Sequence, residues 1–265
     1  MKRRQLFEFT DLGWWPASFR ALLTDYLMTC LQLTHPFRRL YSALSGAIEA
    51  ARTDRVVDLG SGSGGPWPHL LGEMRRATGR AIQVLLTDKY PDAAASGRFE
   101  GVDGIRYWPE PVDARAGPAE LAGLRTMFNS LHHFRPAAAL EILRDAVRHG
   151  EPIAIIENVY RSWFCVFGAL FVPFVVLAVT PWIRPFSWRR WFWTYVIPLA
   201  PLVIAWDGAI SVARCYNPAD LRAMGRQAAG DTYDWQSGAY QQGIMTVTYL
   251  IGLPRVVAAG RGRPV

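Results

Sequence analysis

Five apolar runs in the first 160 residues each lead into polar positions. They are Val56–Asp58, Ala81–Asp88, Ile105–Asp113, Leu124–Phe134 and Pro152–Glu157. Short apolar runs bounded by turn signals predict buried strands. Between the last two, Pro136–His149 reads as a helix, with proline at its start, Gly150 past its end, and Leu140, Leu143 and Val147 as an apolar stripe. Ahead of the strands, Phe19, Leu22, Leu23, Tyr26, Leu27 and Cys30 recur at helical spacing after the turn Trp14-Trp15-Pro16. A second helix is predicted over 38–51, after His35-Pro36. Near the end, Asn217-Pro218 opens another helix, and Tyr233–Tyr240 with Met245–Ile251 predicts a closing hairpin. This order implies an α/β fold around an open, mostly parallel sheet. Ligands of such sheets bind outside the strand carboxyl ends, where the polar residues ending the five runs converge.

One stretch breaks the pattern. Trp163–Ile183 carries no charged residue across 21 positions, and Trp191–Trp206 carries none across 16. The first reaches bilayer-spanning length and the second falls short of the roughly 20 residues needed. A spanning hairpin would place Arg184, Arg189 and Arg190 away from the cytosol, against the positive-inside tendency. Pro173, Pro181, Pro198 and Pro201 punctuate both runs. The expectation is an inserted hydrophobic helical hairpin of two kinked helices in one leaflet, with arginines and tryptophans at headgroup level.

The chain thus divides into an N-terminal helical cap (1–52), a nucleotide-binding core (53–160), an apolar insertion (161–206), the C-terminal part of the fold (207–255) and a tail (256–265). Among 265 residues, 29 basic against 22 acidic residues give a net charge of +7, and nearly all the basic residues are arginine. Basic charge alone suits nucleic acid or an anionic membrane. Eleven tryptophans and the uncharged block favour the membrane, and the arginines are dispersed rather than clustered. Cys30, Cys165 and Cys215 are widely spaced, so neither a disulfide framework nor a metal site is expected. Lys2–Arg4 are followed by Glu8 and Asp11, which does not make a signal peptide. A location on the cytoplasmic side of the membrane follows.

The chemistry concentrates in Arg55-Val-Val-Asp-Leu-Gly-Ser-Gly-Ser-Gly-Gly65. A strand delivers Asp58 into a loop of four glycines, where the backbone turns sharply and a ligand approaches closely. An acid in that place suits a ligand presenting a cation rather than a pyrophosphate. Asp88, about thirty residues on, matches the acid that grips ribose hydroxyls in nucleotide-binding α/β units.

With these residues the chain resembles the class I S-adenosylmethionine-dependent methyltransferases, well over 53–160 and loosely over 206–255. The resemblance implies a Rossmann-like seven-stranded sheet, mostly parallel, that ends in an antiparallel pair, with S-adenosylmethionine as cofactor. It implies that Asp58, Gly60, Ser61, Gly62 and Gly64 wrap the methionine part. Asp88, with Lys89 beside it, would hold the ribose, and Asp113, with Ala114, would lie at the adenine. The segment Asn129–Phe134 would face the transfer centre. Pro66-Trp67-Pro68 departs from the plain helix start usual in that family. No Asn-Pro-Pro-Tyr motif of amino-directed nucleic-acid methylation is present, and no nucleic-acid partner is expected.

His132 and His133 are the best general-base candidates, since imidazole titrates near neutrality and their loop should face the reacting carbon. His132 is preferred, and Glu157 is the second choice; either histidine could instead merely hydrogen-bond its loop. A lipophilic acceptor, a lipid-like or other small hydrophobic molecule, would explain an apolar insertion directly after the fifth strand. Two rivals stand. Gly60, Gly62 and Gly65 spell G-x-G-x-x-G, which also suits an NAD(P)- or FAD-dependent oxidoreductase, although Asp58 would repel a diphosphate. A non-catalytic cofactor-binding partner subunit anchored to the membrane is the other.

Overall fold

A computed structural model describes residues 1–91, 93–118 and 120–255, and the expected tail at 256–265 lies outside the described residues. β1 (Arg55–Leu59) lies inside a seven-stranded sheet, between β2 (Gln83–Thr87) and β4 (Leu124–Phe128). Beyond β2 comes β3 (Ile105–Tyr107). On the other side β4 pairs with β5 (Ile153–Glu157), then β7 (Met245–Pro254) and β6 (Tyr233–Gln242), in the order β3-β2-β1-β4-β5-β7-β6. All pairings from β3 to β5 are parallel, whereas β7 runs antiparallel to both β5 and β6. The expected closing hairpin is present, and longer than the sequence pattern suggested.

Strand alternation sorts the core into two layers. Val56, Ala154 and Ile156 point to the side covered by α2 (Tyr41–Ala51) and α3 (Trp67–Thr78), against Leu44, Ile48, Trp67 and Leu70. Val57, Ile153 and Ile155 point to the side covered by α5 (Pro136–His149) and α10 (Pro218–Ala229), against Ile142, Leu143 and Leu221. A short α4 (Ala93–Arg98) follows β2. Asn217 caps α10 with a reciprocal capping box through Asp220, as its sequence signature requires.

Arg125 in β4 and Asp145 in α5 form an ion pair in which both side chains are almost wholly buried. Removing one member leaves the other charged and desolvated. Asp145→Ala should therefore cost about 3–5 kcal/mol of stability, read as a lower denaturation midpoint at an unchanged denaturant slope.

Two expectations need correction. The third run was expected to extend to Asp113, but β3 stops at Tyr107. Pro109 and Pro111 follow, and proline has no N–H to offer a sheet ladder. The chain still tracks β2 through Trp108 N donating to Leu86 O and Val112 N donating to Asp88 O, and this brings Asp113 beside Asp88's strand end. The second correction concerns the insertion. Its first half, Trp163–Trp182, is one apolar helical stretch of 20 residues rather than a kinked helix. It comprises α6 (Trp163–Gly168), a 3-10 turn, α7 (Val172–Val179) and a second 3-10 turn. Pro173 and Pro181 fall in the first positions of their segments, where no helical N–H is required.

That stretch is about 30 Å long at 1.5 Å per residue. With a mean hydropathy of 2.3 and only 17% of it buried, it is long and apolar enough to cross a membrane. The second half does kink: α8 (Trp188–Trp191) and the turn continuing it to Val196 meet α9 (Leu199–Arg214) at 81°. Pro198 sits at that break. α9 runs through the expected boundary at 206 and ends at Arg214.

The insertion packs on α1 (Ala17–Thr34). Phe19, Leu22, Leu23 and Tyr26 meet Val176, Ile183, Ala200 and Val203, and the Tyr26 hydroxyl lies 2.7 Å from both Thr180 Oγ1 and Thr194 Oγ1. Arg190 is buried here and donates to Asp25 at 2.7 Å, so only Arg184 and Arg189 of the three expected headgroup arginines face outward. Trp163, Phe164, Phe171, Phe174, Trp182 and Trp188 are all exposed.

Candidate active site

The glycine loop leaves β1 at Asp58, whose side chain is buried. Thr126 Oγ1 donates to Asp58 Oδ1 at 2.6 Å, and no salt bridge reaches this carboxylate among the described residues. Burial pushes the Asp58 carboxyl up to about 6. A desolvated carboxylate with no cation of its own is costly to keep charged. Gly60 has φ +65°, and a Cβ there would meet Ser130 Oγ at 3.3 Å. Gly64 has φ +103°, and a Cβ there would fall 2.2 Å from Phe99 Cζ, so both positions demand glycine. Ser61 Oγ donates to Asp58 O and accepts from Thr87 N, tying the loop to β2.

Asp88 accepts from Gly62 N at 2.9 Å and from Tyr90 N at 2.8 Å, which holds the acid beside the loop. Lys89 Nζ lies 3.9 Å from Asp113 Oδ2. Asp113 takes both oxygens to Arg115, at 2.9 and 2.6 Å, and this guanidinium holds its carboxyl down to about 2. Arg115 thus already occupies the carboxylate that the resemblance assigns to adenine. Ala114 is buried beside it. Asn129 adopts φ 49°, tolerable for asparagine. Its N–H donates to Ile156 O and its Oδ1 accepts from Asn158 N at 2.8 Å, so it splices the ends of β4 and β5. These residues fit a ligand that offers a cation to Asp58 and a ribose near Asp88.

Past the end of β4, a 3-10 turn over Leu131–His133 presents the two histidines. His132 is buried. Its N–H donates to Glu157 Oε1 at 3.1 Å, and its Nδ1 lies 2.6 Å from Glu157 Oε2. Glu157, at the end of β5, therefore fixes the ring and leaves Nε2 for other work. The His133 ring lies 4.2 Å from the His132 ring, centroid to centroid.

The sequence reading missed what surrounds them. The segment before α1 crosses the site, so that Asp11 Oδ1 lies 2.7 Å from His133 Nδ1 and Glu8 is buried against both rings. Asp207 in α9 pins that segment by accepting from Phe9 N and Thr10 N. Arg214, at the end of α9, donates to Asp11 Oδ2 at 2.5 Å and to His133 O at 3.0 Å, and lies 3.2 Å from Glu8 Oε1. Burial raises the Glu8 carboxyl to about 7, while the His133 and Arg214 partners hold Asp11 far below the usual carboxylate range. The signal was present as two acids inside the aromatic run Phe7-Glu-Phe9-Thr-Asp11, which must find partners when that run is buried.

Neither a protein-family model nor a characterised protein matches the sequence. Solved structures do resemble the fold. An O-methyltransferase family protein from Burkholderia thailandensis superposes with a TM-score of 0.47 at 15% identity, over 90% of this chain and 60% of that one. An O-methyltransferase from neocarzinostatin biosynthesis, solved with S-adenosylmethionine and 2-hydroxy-5-methyl naphthoic acid, gives 0.48 at 18% identity, over 88% and 58%. LepI, solved with S-adenosylmethionine, gives 0.42 at 16%, over 75% and 42%. The chain spans about half the length of these structures. With β7 antiparallel between β5 and β6 and a glycine loop after β1, the fold is the seven-stranded, mostly parallel α/β sheet with a closing antiparallel pair that the sequence led one to expect.

Proposed function

We propose that this protein is an S-adenosylmethionine-dependent methyltransferase acting on a small hydrophobic or lipid-like acceptor at the cytoplasmic face of a membrane. The observation that carries the reading is Asp58, a buried carboxylate without a cationic partner beside a glycine loop. It suits the ammonium of an amino-acid ligand and repels a diphosphate. When bound, S-adenosylmethionine supplies a methyl carbon made electrophilic by its sulfonium. The chain's own residues then have to hold the cofactor, align the acceptor and exclude water. Asp58, the loop and Asp88 do the first. His132, oriented by Glu157, offers its second ring nitrogen on the acceptor side, beneath the segment that carries Glu8 and Asp11.

The apolar stretch Trp163–Trp182 begins a few residues after Glu157 and leaves its aromatic side chains exposed. An exposed apolar surface of this size serves contact with another apolar phase, and it would admit a lipophilic acceptor without passage through water. Incubating purified protein with labelled S-adenosylmethionine and a membrane lipid extract should give label in a lipid-soluble product. The chain should also float with vesicles, and Phe171→Glu/Phe174→Glu should release it. Label recovered only in water-soluble products, or equal flotation of the double variant, would overturn the lipid part of the reading.

A further inference from the structure

Glu8, His132 and His133 stand around a gap. Glu8 Oε1 lies 3.8 Å from His132 Nε2, and Glu8 Oε2 lies 3.7 Å from His133 Nδ1. Both separations are too long for hydrogen bonds. They approach the roughly 3.3 Å expected between two atoms that each sit about 2.0–2.1 Å from one tetrahedral ion. One ligating atom from each of the three residues falls within 4.8 Å of the other two. Behind His132, Glu157 holds Nδ1 at 2.6 Å, the carboxylate-to-imidazole contact that orients metal-bound histidines.

The charges point the same way. Four carboxylates meet in this cluster: Glu8, Asp11, Glu157 and Asp207. Arg214 pairs with two of them, Glu8 and Asp11, while Arg3 donates to the backbone carbonyls of His132 and Phe134. A divalent cation between the carboxylates would offset negative charge gathered in a largely buried place. No hydrogen bond reaches Glu8 Oε2 among the described residues, so this oxygen is available to an ion. The sequence predicted no metal, because the ligands come from segments more than a hundred residues apart (His133 and Asp11 are separated by 122 positions) and show no local spacing.

We propose that Glu8, His132 and His133 bind one divalent transition-metal ion, which would take His133 Nδ1 in place of its present 2.7 Å contact with Asp11. Two imidazoles and carboxylate oxygen suit zinc, cobalt or iron(II) better than magnesium or calcium. The inference deepens the methyltransferase reading and rests on it for its purpose: it makes the acceptor an apolar molecule with an ionisable hydroxyl. The ion would take that oxygen as a further ligand and lower its pKa. The O–H proton then passes to water, the oxygen forms its bond to the methyl carbon, and the carbon–sulfur electron pair stays on sulfur.

The test uses the full chain, stripped with chelator and titrated with Co(II). Visible absorption bands of the coordinated ion should saturate at about one equivalent and be displaced by Zn(II). Glu8→Gln and His133→Asn should each weaken binding at least tenfold. Asp103→Asn, on the far side of the sheet order, should leave it unchanged. Calorimetry with S-adenosylmethionine on the same samples separates the two readings. A chain that binds S-adenosylmethionine but shows no Co(II) band and no stoichiometric metal overturns this proposal and leaves His132 to act directly as the base. Saturable metal binding without S-adenosylmethionine binding supports the metal site and overturns the transferase. Should a variant unfold, the titration of the unsubstituted chain decides alone.

Discussion

Asp58→Asn should weaken S-adenosylmethionine binding about a hundredfold or more in calorimetry while the fold survives. The substitution keeps the shape and the contact with Thr126 but removes the charge, and loss of a buried ionic contact is worth about 3–5 kcal/mol. The pH dependence gives an independent check. The carboxyl sits at about 6 in the cofactor-free protein, and it must be ionised to hold an ammonium. Affinity should be level above neutrality and fall roughly tenfold for each pH unit below about 6. Stability of the cofactor-free chain moves in the other direction. A folded pKa raised above the unfolded value of 3.8 means that this group's contribution is fully present at low pH. It is lost as pH rises through about 6. An Asp58→Asn chain that kept the same acid limb in its binding curve would remove Asp58 from the cofactor site.

His132→Ala should lower turnover roughly 10²–10⁴-fold, the range for losing a group that handles the acceptor's proton, whether directly or through a bound ion. Cofactor affinity should stay within about twofold. Glu157→Gln should cost less, about 10- to 100-fold, because it loosens the ring without deleting it. Glu157 accepts from both the backbone and the ring of His132, so its loss acts through His132. The double variant should therefore be scarcely worse than His132→Ala alone, since the two form one unit. A double variant whose losses multiply would show that Glu157 acts by a separate route. Activity of His132→Ala near the parent's level would move the acceptor centre elsewhere.

The position of β1 and the glycine loop was legible because one strand and one turn carry it. Val56 and Val57 must be buried, Gly60 and Gly64 must turn, and Asp58 follows from its place between them. The closing hairpin was legible for the same reason: alternation over Met245–Ile251 is a local signal. The end of β3 was misplaced because its apolar count continued past Tyr107, while Pro109 and Pro111 forbid the ladder. The engagement of Asp113 by Arg115, two residues on, depends on a loop path that periodicity does not encode.

The insertion divides in the same way. Its lack of charge fixed its apolar character, but the burial of Arg190 against Asp25 needed α1 packed alongside, a contact across 165 positions. Likewise Glu8 and Asp11 looked like interruptions in a terminal segment, and nothing near Arg214 in the sequence marked it as their partner.

By itself the sequence determined the strand and helix order, the glycine loop with its acid, and the uncharged apolar block, since each rests on neighbours within a few turns of the chain. Only the tertiary structure decided that the N-terminal segment crosses the histidine turn and that α9 returns there with Asp207 and Arg214. It alone decided that two histidines share one buried carboxylate. Those contacts are set by how charged groups compensate one another once water is excluded, a balance struck between segments far apart in the chain.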